Sequence, residues 1–448
     1  MARSDGGVVP GAGEGQSPAG ATRQPVRRFL FLQGPLSPLF RRIGARLTEA
    51  GHEVRRINFC PGDWLHWHGR GTISYRGRSA DWPAFIAGYL AEHGITDLVV
   101  HGDTRPYHRA AVRAAEDLGI SVAATELGYL RPGWMTIERG GLSTLSRFPD
   151  TADAIRAAAH AAGTVDLTPR YPGSFALEAW QDVSYHLPNV LLGFLYPGYR
   201  RHTPLHPVVD YSRWLLRLAG ARRRKARAVR RQKALADGKG PLFLLPLQVE
   251  GDYQILAHSP FATMAEALER IMTSFAAHAP ADARLVVKSH PLDNGHRDWQ
   301  RCVTELARRL GREDRVVFLD GGALPELLRR AAGLVTVNSS AGLEALRAGV
   351  SVKTMTPALY DVAGLTHQGE LDGFWSAPEA PDSALLADFV TAIAASLQVR
   401  GSIHNRAGLD AAVDGMAARI LTQTLNAPAK PVEPPPRLAR ARALGVPL

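Results

Sequence analysis

The sequence predicts an α/β protein with two lobes, each built on a parallel β-sheet. Short apolar runs alternate with amphipathic helical patterns along most of the chain, which is typical of strand–helix–strand units. The alternation stops once, in a strongly basic stretch between residues 201 and 240. At 448 residues, the chain is also longer than a single hydrophobic core usually supports. We therefore expect two domains joined by a linker.

Composition narrows the class of protein and of partner. Hydrophobic residues make up 45% and charged residues 21%, which is typical of a soluble globular protein. The net charge of +11 favours an anionic partner, such as a nucleotide, an anionic lipid surface or nucleic acid. Cys60 and Cys302 are the two cysteines, too few for a disulfide framework, and they favour a reducing cytoplasm. No apolar run reaches membrane-spanning length. Neither cysteine has companions at metal-ligand spacing, and His66 and His68, which have such spacing, lack a third ligand.

The first lobe is predicted over residues 25–200, after a Gly-rich lead-in (1–24) that we expect to be disordered. An apolar strand from Phe29 is followed by a Gly-Pro loop, an amphipathic helix, Gly51 as its C-cap and a second strand. The loop lacks the three spaced glycines of a dinucleotide-binding fingerprint. The same alternation continues through ITDLVVHGD and GISVAATELG.

Residues 201–240 are predicted to form a basic linker helix. Its amino-terminal half also contains Trp214, Leu215, Leu216 and Leu218. Basic side chains beside such an apolar patch are typical of an interfacial anchor on anionic lipid. A solvated linker helix is the alternative, and we expect no nucleic-acid partner. Residues 211–233 of this stretch contain no acidic residue. The basic side chains there are Arg213, Arg217, Arg222, Arg223, Arg224, Lys225, Arg227, Arg230, Arg231 and Lys233.

The second lobe is predicted over residues 241–380, where strand–helix alternation resumes. Its strands are PLFLLPLQ, ARLVVKSHP, RVVFLDG, GLVTVNSS and VSVKTM. Helices over 381–426 are expected to pack back across the first lobe. The Pro-rich, basic tail from 427 to 448 is predicted to be disordered.

Two polar clusters of the second lobe follow predicted strands. Lys288 and His290 end one strand, and Asn338, Ser339 and Ser340 end another. Open α/β sheets bind ligands at the carboxyl ends of their strands. A Lys, a His and two hydroxyls beside a helix N-terminus suit a phosphate group. Two such clusters in one domain indicate a nucleotide-phosphate site.

Three carboxylates also follow predicted strands: Asp103 and Glu126 in the first lobe, and Asp252 in the second. Carboxylates that face each other across a cleft suit glycosyl transfer with retention, in which one attacks the anomeric carbon and the other deprotonates the acceptor. Helix capping for Asp103 and ion pairing for Glu126 are the structural alternatives. Polar neighbours of these carboxylates are Arg105, Arg131 and Gln248.

Six motifs in order across residues 29–375 resemble those of the capsule polysaccharide synthesis/export family, and most closely its KpsS-type branch. They are GDTRPYHRAA, ELGYLRPGWMTIE, PLQVEGDYQI with HSPF, KSHPLDN, VNSSAGLEAL and YDVAGLTHQGELDGFW. The resemblance implies two Rossmann-like lobes in a GT-B-like arrangement. It also implies a retaining β-Kdo transferase that uses CMP-Kdo. Many relatives have a second acid where this chain has Leu127, so the catalytic role moves to Glu126.

The resemblance implies a role for each candidate residue. His290 and Lys288 would meet the CMP phosphate, with the hydroxyls of Ser339 and Ser340 completing the cradle. Asp252 would be the nucleophile, and Glu126 the general base. Asp103 would be a reserve for either role. Arg105 and Arg131 would hold the Kdo carboxylate or a lipid phosphate, and Asn338 and Gln248 are further candidates for substrate binding.

The implied acceptor is a phosphatidylglycerol-type lipid at the cytoplasmic face of the inner membrane, where the enzyme would start the oligo-Kdo linker of capsular polysaccharide. The expected partners are CMP-Kdo, an anionic glycerophospholipid, the membrane surface and other capsule assembly proteins, with no cofactor and no metal. Two alternatives stay open. One is a non-catalytic export or scaffold protein of the capsule machinery, and the other is a different CMP-sugar transferase with a soluble acceptor.

Overall fold

A computed structural model describes residues 25–201, 205–236 and 240–448. In the first lobe, strands and helices alternate as the apolar pattern predicts. Its elements are β1 (Arg28–Phe31), α1 (Leu39–Glu49), β2 (Glu53–Asn58), α2 (Pro61–His66), β3 (Thr72–Ser74), α3 (Trp82–Glu92), β4 (Asp97–His101), α4 (Pro106–Asp117), β5 (Ser121–Leu127), β6 (Trp134–Arg139) and α5 (Ala152–Ala162).

Along the sequence, three helices follow α5 and precede the first strand of the second lobe: α6 (Phe175–Leu191), α7 (Pro207–Ala219) and α8 (Ala221–Ala236). The prediction of one basic helix over 201–240 was therefore wrong, since the described part of that stretch forms two helices. The break falls at Gly220, which is the C-cap of α7. Glycine is a weak helix former because the backbone loses more conformational freedom there than at any other residue.

The second lobe is a parallel sheet with helices between its strands. Its elements are β7 (Leu242–Pro246), α9 (Tyr253–Leu256), α10 (Met264–His278), β8 (Arg284–Lys288), α11 (Trp299–Arg309), β9 (Val316–Leu319), α12 (Leu324–Leu328), β10 (Ala331–Thr336), α13 (Ala341–Arg347), β11 (Ser351–Thr354) and α14 (Leu371–Phe374). The strand order is β11-β10-β7-β8-β9, and every pairing in it is parallel.

The last part of the chain returns to the first lobe through α15 (Ser383–Ser396), β12 (Gln398–Arg400), α16 (Arg406–Leu421) and α17 (Leu438–Ala443). Among the described residues the first sheet has seven strands in the order β12-β6-β5-β4-β1-β2-β3. Its β1 to β5 strands pair in parallel, whereas β6 and β12 form an antiparallel edge. Helix α16 packs against α1, and α15 packs against α5.

The tail over 427–448 is ordered, so its predicted disorder was wrong. Arg437 is fully buried. Its guanidinium donates to the carbonyl oxygens of Phe148 at 2.8 Å, Leu359 at 2.7 Å and Ala358 at 3.0 Å. These hydrogen bonds attach the tail to both lobes, although its Pro-rich, basic composition offers little apolar surface for burial. The predicted lead-in, 1–24, lies outside the described residues.

One apolar core runs from the first lobe into the second. Phe148 and Ile155 belong to the same buried cluster as Leu244 and Val286 of the second sheet. Phe148 also meets Phe389 of α15 edge-on, with ring centroids 5.9 Å apart. The predicted α/β fold, with two Rossmann-like lobes in a GT-B-like arrangement, is confirmed.

Candidate active site

A cavity of about 370 Å³ lies between the two lobes, where the carboxyl ends of strands from both sheets meet. Ten of the eleven residues singled out in the sequence line it. From the first lobe come Asp103 and Arg105 after β4, Glu126 in β5, and Arg131. From the second come Gln248, Asp252, His290, Asn338, Ser339 and Ser340. The parallel topology explains the convergence, because successive strand ends share one edge of a sheet.

Lys288 is the exception, since it does not line the cavity. It is the last residue of β8 and is buried, and its Nζ donates to the carbonyl oxygen of Ser289 at 3.2 Å. Burial lowers the pKa of Lys288, which nearby Asp320 and Glu344 partly restore. Its charge still acts through space, because it helps to lower the pKa of His290. The expected direct contact between Lys288 and a phosphate is therefore not supported.

His290 is held in one tautomer by the backbone. Its Nδ1 accepts a hydrogen bond from the Leu292 N–H at 3.0 Å, so the proton of the neutral ring is on Nε2. Burial, followed by the charges of Lys288 and Arg131, lowers the pKa of His290 to about 4. At neutral pH the ring is thus uncharged, with Nε2 as a hydrogen-bond donor.

The two serines lie where β10 leads into α13. The hydroxyl oxygen of Ser339 accepts from the Ala341 N–H at 3.2 Å, and the Tyr360 hydroxyl donates to the Ser339 carbonyl at 2.5 Å. Gly342 makes this approach possible, because a Cβ there would lie 2.2 Å from the Tyr360 oxygen. The loop that presents Ser339 and Ser340 to the cavity is therefore fixed by its neighbours.

Asn338 and Gln248 are bound to other protein groups. Asn338 donates to the Gln254 carbonyl at 2.7 Å and accepts from the Gln248 amide at 3.1 Å. Gln248 also donates to Oδ2 of Asp252 at 3.4 Å. The two amides thus position the Asp252 carboxylate, whereas the sequence suggested that they bind substrate directly.

Asp252 caps α9, with Oδ1 accepting from the Gln254 N–H at 2.9 Å. Burial raises the pKa of Asp252, whereas the hydrogen bonds from Gln254 and Gln248 lower it. The charge of Glu126 raises the pKa further, and that of Arg131 lowers it. The Asp252 carboxylate of the second lobe therefore experiences the charge of Glu126, a residue of the first lobe that lines the same cavity.

Glu126 lies at the end of β5 with its side chain 40% exposed. Its Oε1 accepts from the Leu127 N–H at 2.9 Å and is 3.8 Å from Nε2 of His101. Gly102 has a φ of +71°, and a Cβ there would be 3.5 Å from Nε of Arg105 and 3.7 Å from Oε2 of Glu126. Solvent access and a nearby guanidinium suit a carboxylate that exchanges protons with a substrate.

Asp103 is buried and faces the backbone of its own lobe. Its Oδ2 accepts from the Leu142 N–H at 2.7 Å. Burial raises the pKa of Asp103 to about 7, even though hydrogen bonds from backbone N–H groups lower it. The side chain lines the cavity with one oxygen already occupied, so Asp103 suits proton storage or structure better than nucleophilic attack.

Several lining residues were missed in the sequence because contacts between the lobes select them. The Ser143 hydroxyl donates to Oε1 of Gln254 at 2.8 Å, and the Thr144 hydroxyl is 2.5 Å from Nδ1 of His258. Both contacts join a loop of the first lobe to α9 and the residues after it. Burial lowers the pKa of His258 to about 4. The motif HSPF, which begins at His258, was the sequence signal on the second-lobe side of these contacts.

Sequence comparison identifies the family. The profile described as "Capsule polysaccharide biosynthesis protein" matches residues 96–404. The chain belongs to this family. It is 31% identical over 371 residues to the capsule polysaccharide export protein KpsS of Escherichia coli, covering 81% of this chain and 93% of that one. It is 30% identical over 390 residues to the capsule polysaccharide modification protein LipB of Neisseria meningitidis serogroup B, covering 85% and 92%.

Solved structures with similar folds include KpsC of Thermosulfurimonas dismutans, a β-Kdo 2,4-transferase. The alignment has 15% identity and a TM-score of 0.34, and covers 78% of this chain and 91% of that one. The calicheamicin glycosyltransferase CalG4 aligns at 14% identity and a TM-score of 0.30, covering 89% and 100%. Membership of the capsule family therefore rests on the sequence matches.

Within 25–201, 205–236 and 240–448, no helix is both long and apolar enough to cross a bilayer. Across the same ranges, no three His, Cys, Asp or Glu side chains are grouped as metal ligands.

Proposed function

We propose that the chain is a retaining glycosyltransferase of capsule assembly, which moves β-Kdo from CMP-Kdo to a phosphatidylglycerol-type lipid and so starts the oligo-Kdo linker. One observation carries the proposal. One cavity is lined by hydrogen-bond donors of the second lobe that suit a phosphate, by the half-exposed Glu126 carboxylate of the first lobe, and by Asp252. The similarity to the capsule polysaccharide proteins KpsS and LipB supports a role in capsule assembly.

The second lobe binds the donor. Nε2–H of His290 and the hydroxyls of Ser339 and Ser340 donate to the phosphate of CMP-Kdo, and Arg131 adds positive charge from the first lobe. These groups stabilise the negative charge that gathers on CMP as the bond to the sugar breaks. His290 is neutral before the donor binds, so it acts here as a dipole.

Transfer then takes two steps. The Asp252 carboxylate attacks the anomeric carbon, and CMP leaves with the electron pair of the broken C–O bond. Glu126 next takes the proton from the acceptor hydroxyl, whose oxygen attacks the same carbon and releases Asp252. Gln248 and the Gln254 N–H hold Asp252 ready for both steps. Two displacements retain the configuration of the sugar.

Incubation with CMP-Kdo and a fluorescent phosphatidylglycerol analogue tests the proposal, with mass and linkage analysis of the product. A single β-linked Kdo on the lipid is the expected result. Hydrolysis of CMP-Kdo without lipid product indicates another acceptor. No turnover with any acceptor contradicts the proposal and favours a non-catalytic role in export.

A further inference from the structure

Helix α6 buries a polar face. Gln181, Tyr185 and Asn189 recur at every fourth position and are its buried residues. The Tyr185 hydroxyl donates to Oδ1 of Asp63 at 2.9 Å, and Oδ1 of Asn189 accepts from the Gly62 N–H at 2.7 Å. The helix is thus attached to the first lobe through hydrogen bonds.

The opposite face of α6 is apolar and exposed. Trp180, Val183, Leu187 and Leu191 are spaced by three or four residues and therefore form one stripe. Trp180 is 68% exposed and Leu191 is 63% exposed. A surface helix of a soluble protein normally turns its apolar stripe to the core. In α6 this orientation is reversed.

Helix α7 is reversed in the same way. Its arginines point to the second lobe, where Arg213 donates to the Gly295 carbonyl at 2.9 Å and Arg217 pairs with Asp320 at 2.5 Å. Its leucines point to solvent, with Leu215 68% and Leu216 76% exposed. The hydrogen bonds of these two arginines are with protein, so they are not available for the lipid contact predicted from the sequence.

Most of the exposed large apolar side chains in the described ranges lie on α6, on α7 or in the segment that connects them. Of the 23 large hydrophobic residues that are exposed in the described ranges, 13 lie between 175 and 218. A concentration of this kind marks a surface that meets an apolar partner. We call it the apolar ridge, and its members are Phe175, Trp180, Val183, Leu187, Leu191, Leu192, Phe194, Leu195, Val208, Val209, Leu215, Leu216 and Leu218.

A groove connects these helices to the active site. It has a volume of about 430 Å³ and is lined by His186 of α6, by Tyr211 and Trp214 of α7, and by Leu292. At its inner end it shares six residues with the catalytic cavity. These shared residues are Leu127, Arg131, Gly251, Asp252, Tyr253 and His290.

We propose that the apolar ridge inserts into the interface of a lipid bilayer, and that the groove leads a membrane-embedded glycerophospholipid acceptor to Asp252. The role of the groove rests on the proposed function, whereas the insertion of the apolar ridge does not. Charge favours an anionic bilayer, because Arg222, Arg223 and Lys225 follow α7 directly and are exposed. Apolar side chains flanked by cations are typical of interfacial helices.

Vesicle co-sedimentation of the full chain tests the ridge. Leu187→Ser with Leu191→Ser should lower the partition coefficient on mixed phosphatidylcholine–phosphatidylglycerol vesicles about tenfold for each leucine removed. Leu118→Ser with Leu444→Ser is the matched control, since both leucines are exposed outside the ridge, and it should bind as the unmodified chain does. Equal binding by both double variants overturns the proposal. So does a dimer that the ridge variant converts to a monomer, because the ridge would then join two copies.

Kinetics test the groove. The ridge variant should keep kcat/KM on a soluble short-chain acceptor and lose it on the vesicle-embedded one. Trp214→Ala should raise KM for the long-chain acceptor about tenfold and leave KM for CMP-Kdo unchanged. Leu292→Ser, at a half-exposed position, repeats the test if the Trp214 variant folds poorly. An unchanged KM for the long-chain acceptor in both groove variants refutes the path. Failure of the unmodified chain on every acceptor refutes the proposed function and leaves the vesicle result standing.

Discussion

Replacing Arg437 by methionine should destabilise the whole chain, although Arg437 lies in a tail whose composition is typical of disorder. The side chain is fully buried and donates to four backbone carbonyls, two from each lobe. Methionine has a similar length but no donor, so the carbonyls of Phe148, Pro149, Ala358 and Leu359 would be left without this partner.

The magnitude follows from those four acceptors. A buried polar group without a partner costs about 1–3 kcal/mol, and removal of the buried charge offsets part of the sum. We expect a net loss of about 4 kcal/mol in the free energy of unfolding. For a 448-residue chain that unfolds as one unit, this corresponds to a fall of roughly 4 °C in Tm. Burial lowers the pKa of Arg437, whereas the charges of Asp150 and Asp361 raise it.

Differential scanning fluorimetry measures the effect, with Arg442→Met as the matched control. Arg442 lies on α17, whose N-cap is Arg437, and is exposed, so its loss should change stability by less than about 0.5 kcal/mol. Arg437→Lys should fall between the two, since an ammonium reaches fewer of the carbonyls. Equal melting temperatures for Arg437→Met and Arg442→Met would refute this reasoning and favour the original prediction that the tail is disordered.

Three further predictions concern the cavity. His290→Ala should weaken CMP binding about tenfold or more, measured by calorimetric titration, because the phosphate loses a donor; unchanged affinity would exclude His290 from the phosphate site. Intact-protein mass spectrometry after exposure to CMP-Kdo should show a Kdo adduct in the unmodified chain and in Glu126→Gln, but none in Asp252→Asn. An adduct on Glu126, or inversion in the product, would contradict these roles. Asp103→Asn should stabilise the fold at high pH, since the folded pKa of about 7 lies above the ordinary 3.8. The ionised form therefore destabilises the fold fully above pH 7 and not at all below about pH 4, with an upper bound of ~4 kcal/mol. A Tm difference between the variant and the unmodified chain that does not grow with pH would contradict this.

The sequence predicted the location of the candidate site better than the role of its members. Strand ends are readable from apolar runs, so ten of the eleven chosen side chains line one cavity. The hydrogen bonds among these side chains could not be predicted from the sequence, because they join residues that are far apart in it. Gln248 and Asn338, for example, are 90 positions apart. Nor does composition show that Arg437 is buried, since that depends on carbonyls from both lobes meeting at one point.

Helical periodicity had a similar limit at α6 and α7. It shows which residues share a face, but not whether that face turns to the core or to solvent. In α7 the arginines of the predicted lipid anchor bind the second lobe, and the leucines that would ordinarily be buried are exposed. The tertiary partners Gly295 and Asp320 decide the orientation, and they lie some eighty or more positions away.

The lobes are linked around the cleft by groups that the chemistry does not use. The tail joins them through Arg437, the Ser143 and Thr144 hydroxyls join them through Gln254 and His258, and α7 reaches the second lobe through Arg217. Because these links join the two lobes, we expect the protein itself to set the separation of the Asp252 and Glu126 carboxylates. A fixed separation favours catalysis by preorganised groups over closure of a hinge. The proposed reaction also requires an entrance that stays open for the acceptor, and we propose the groove lined by Tyr211 and Trp214 of α7 for that role.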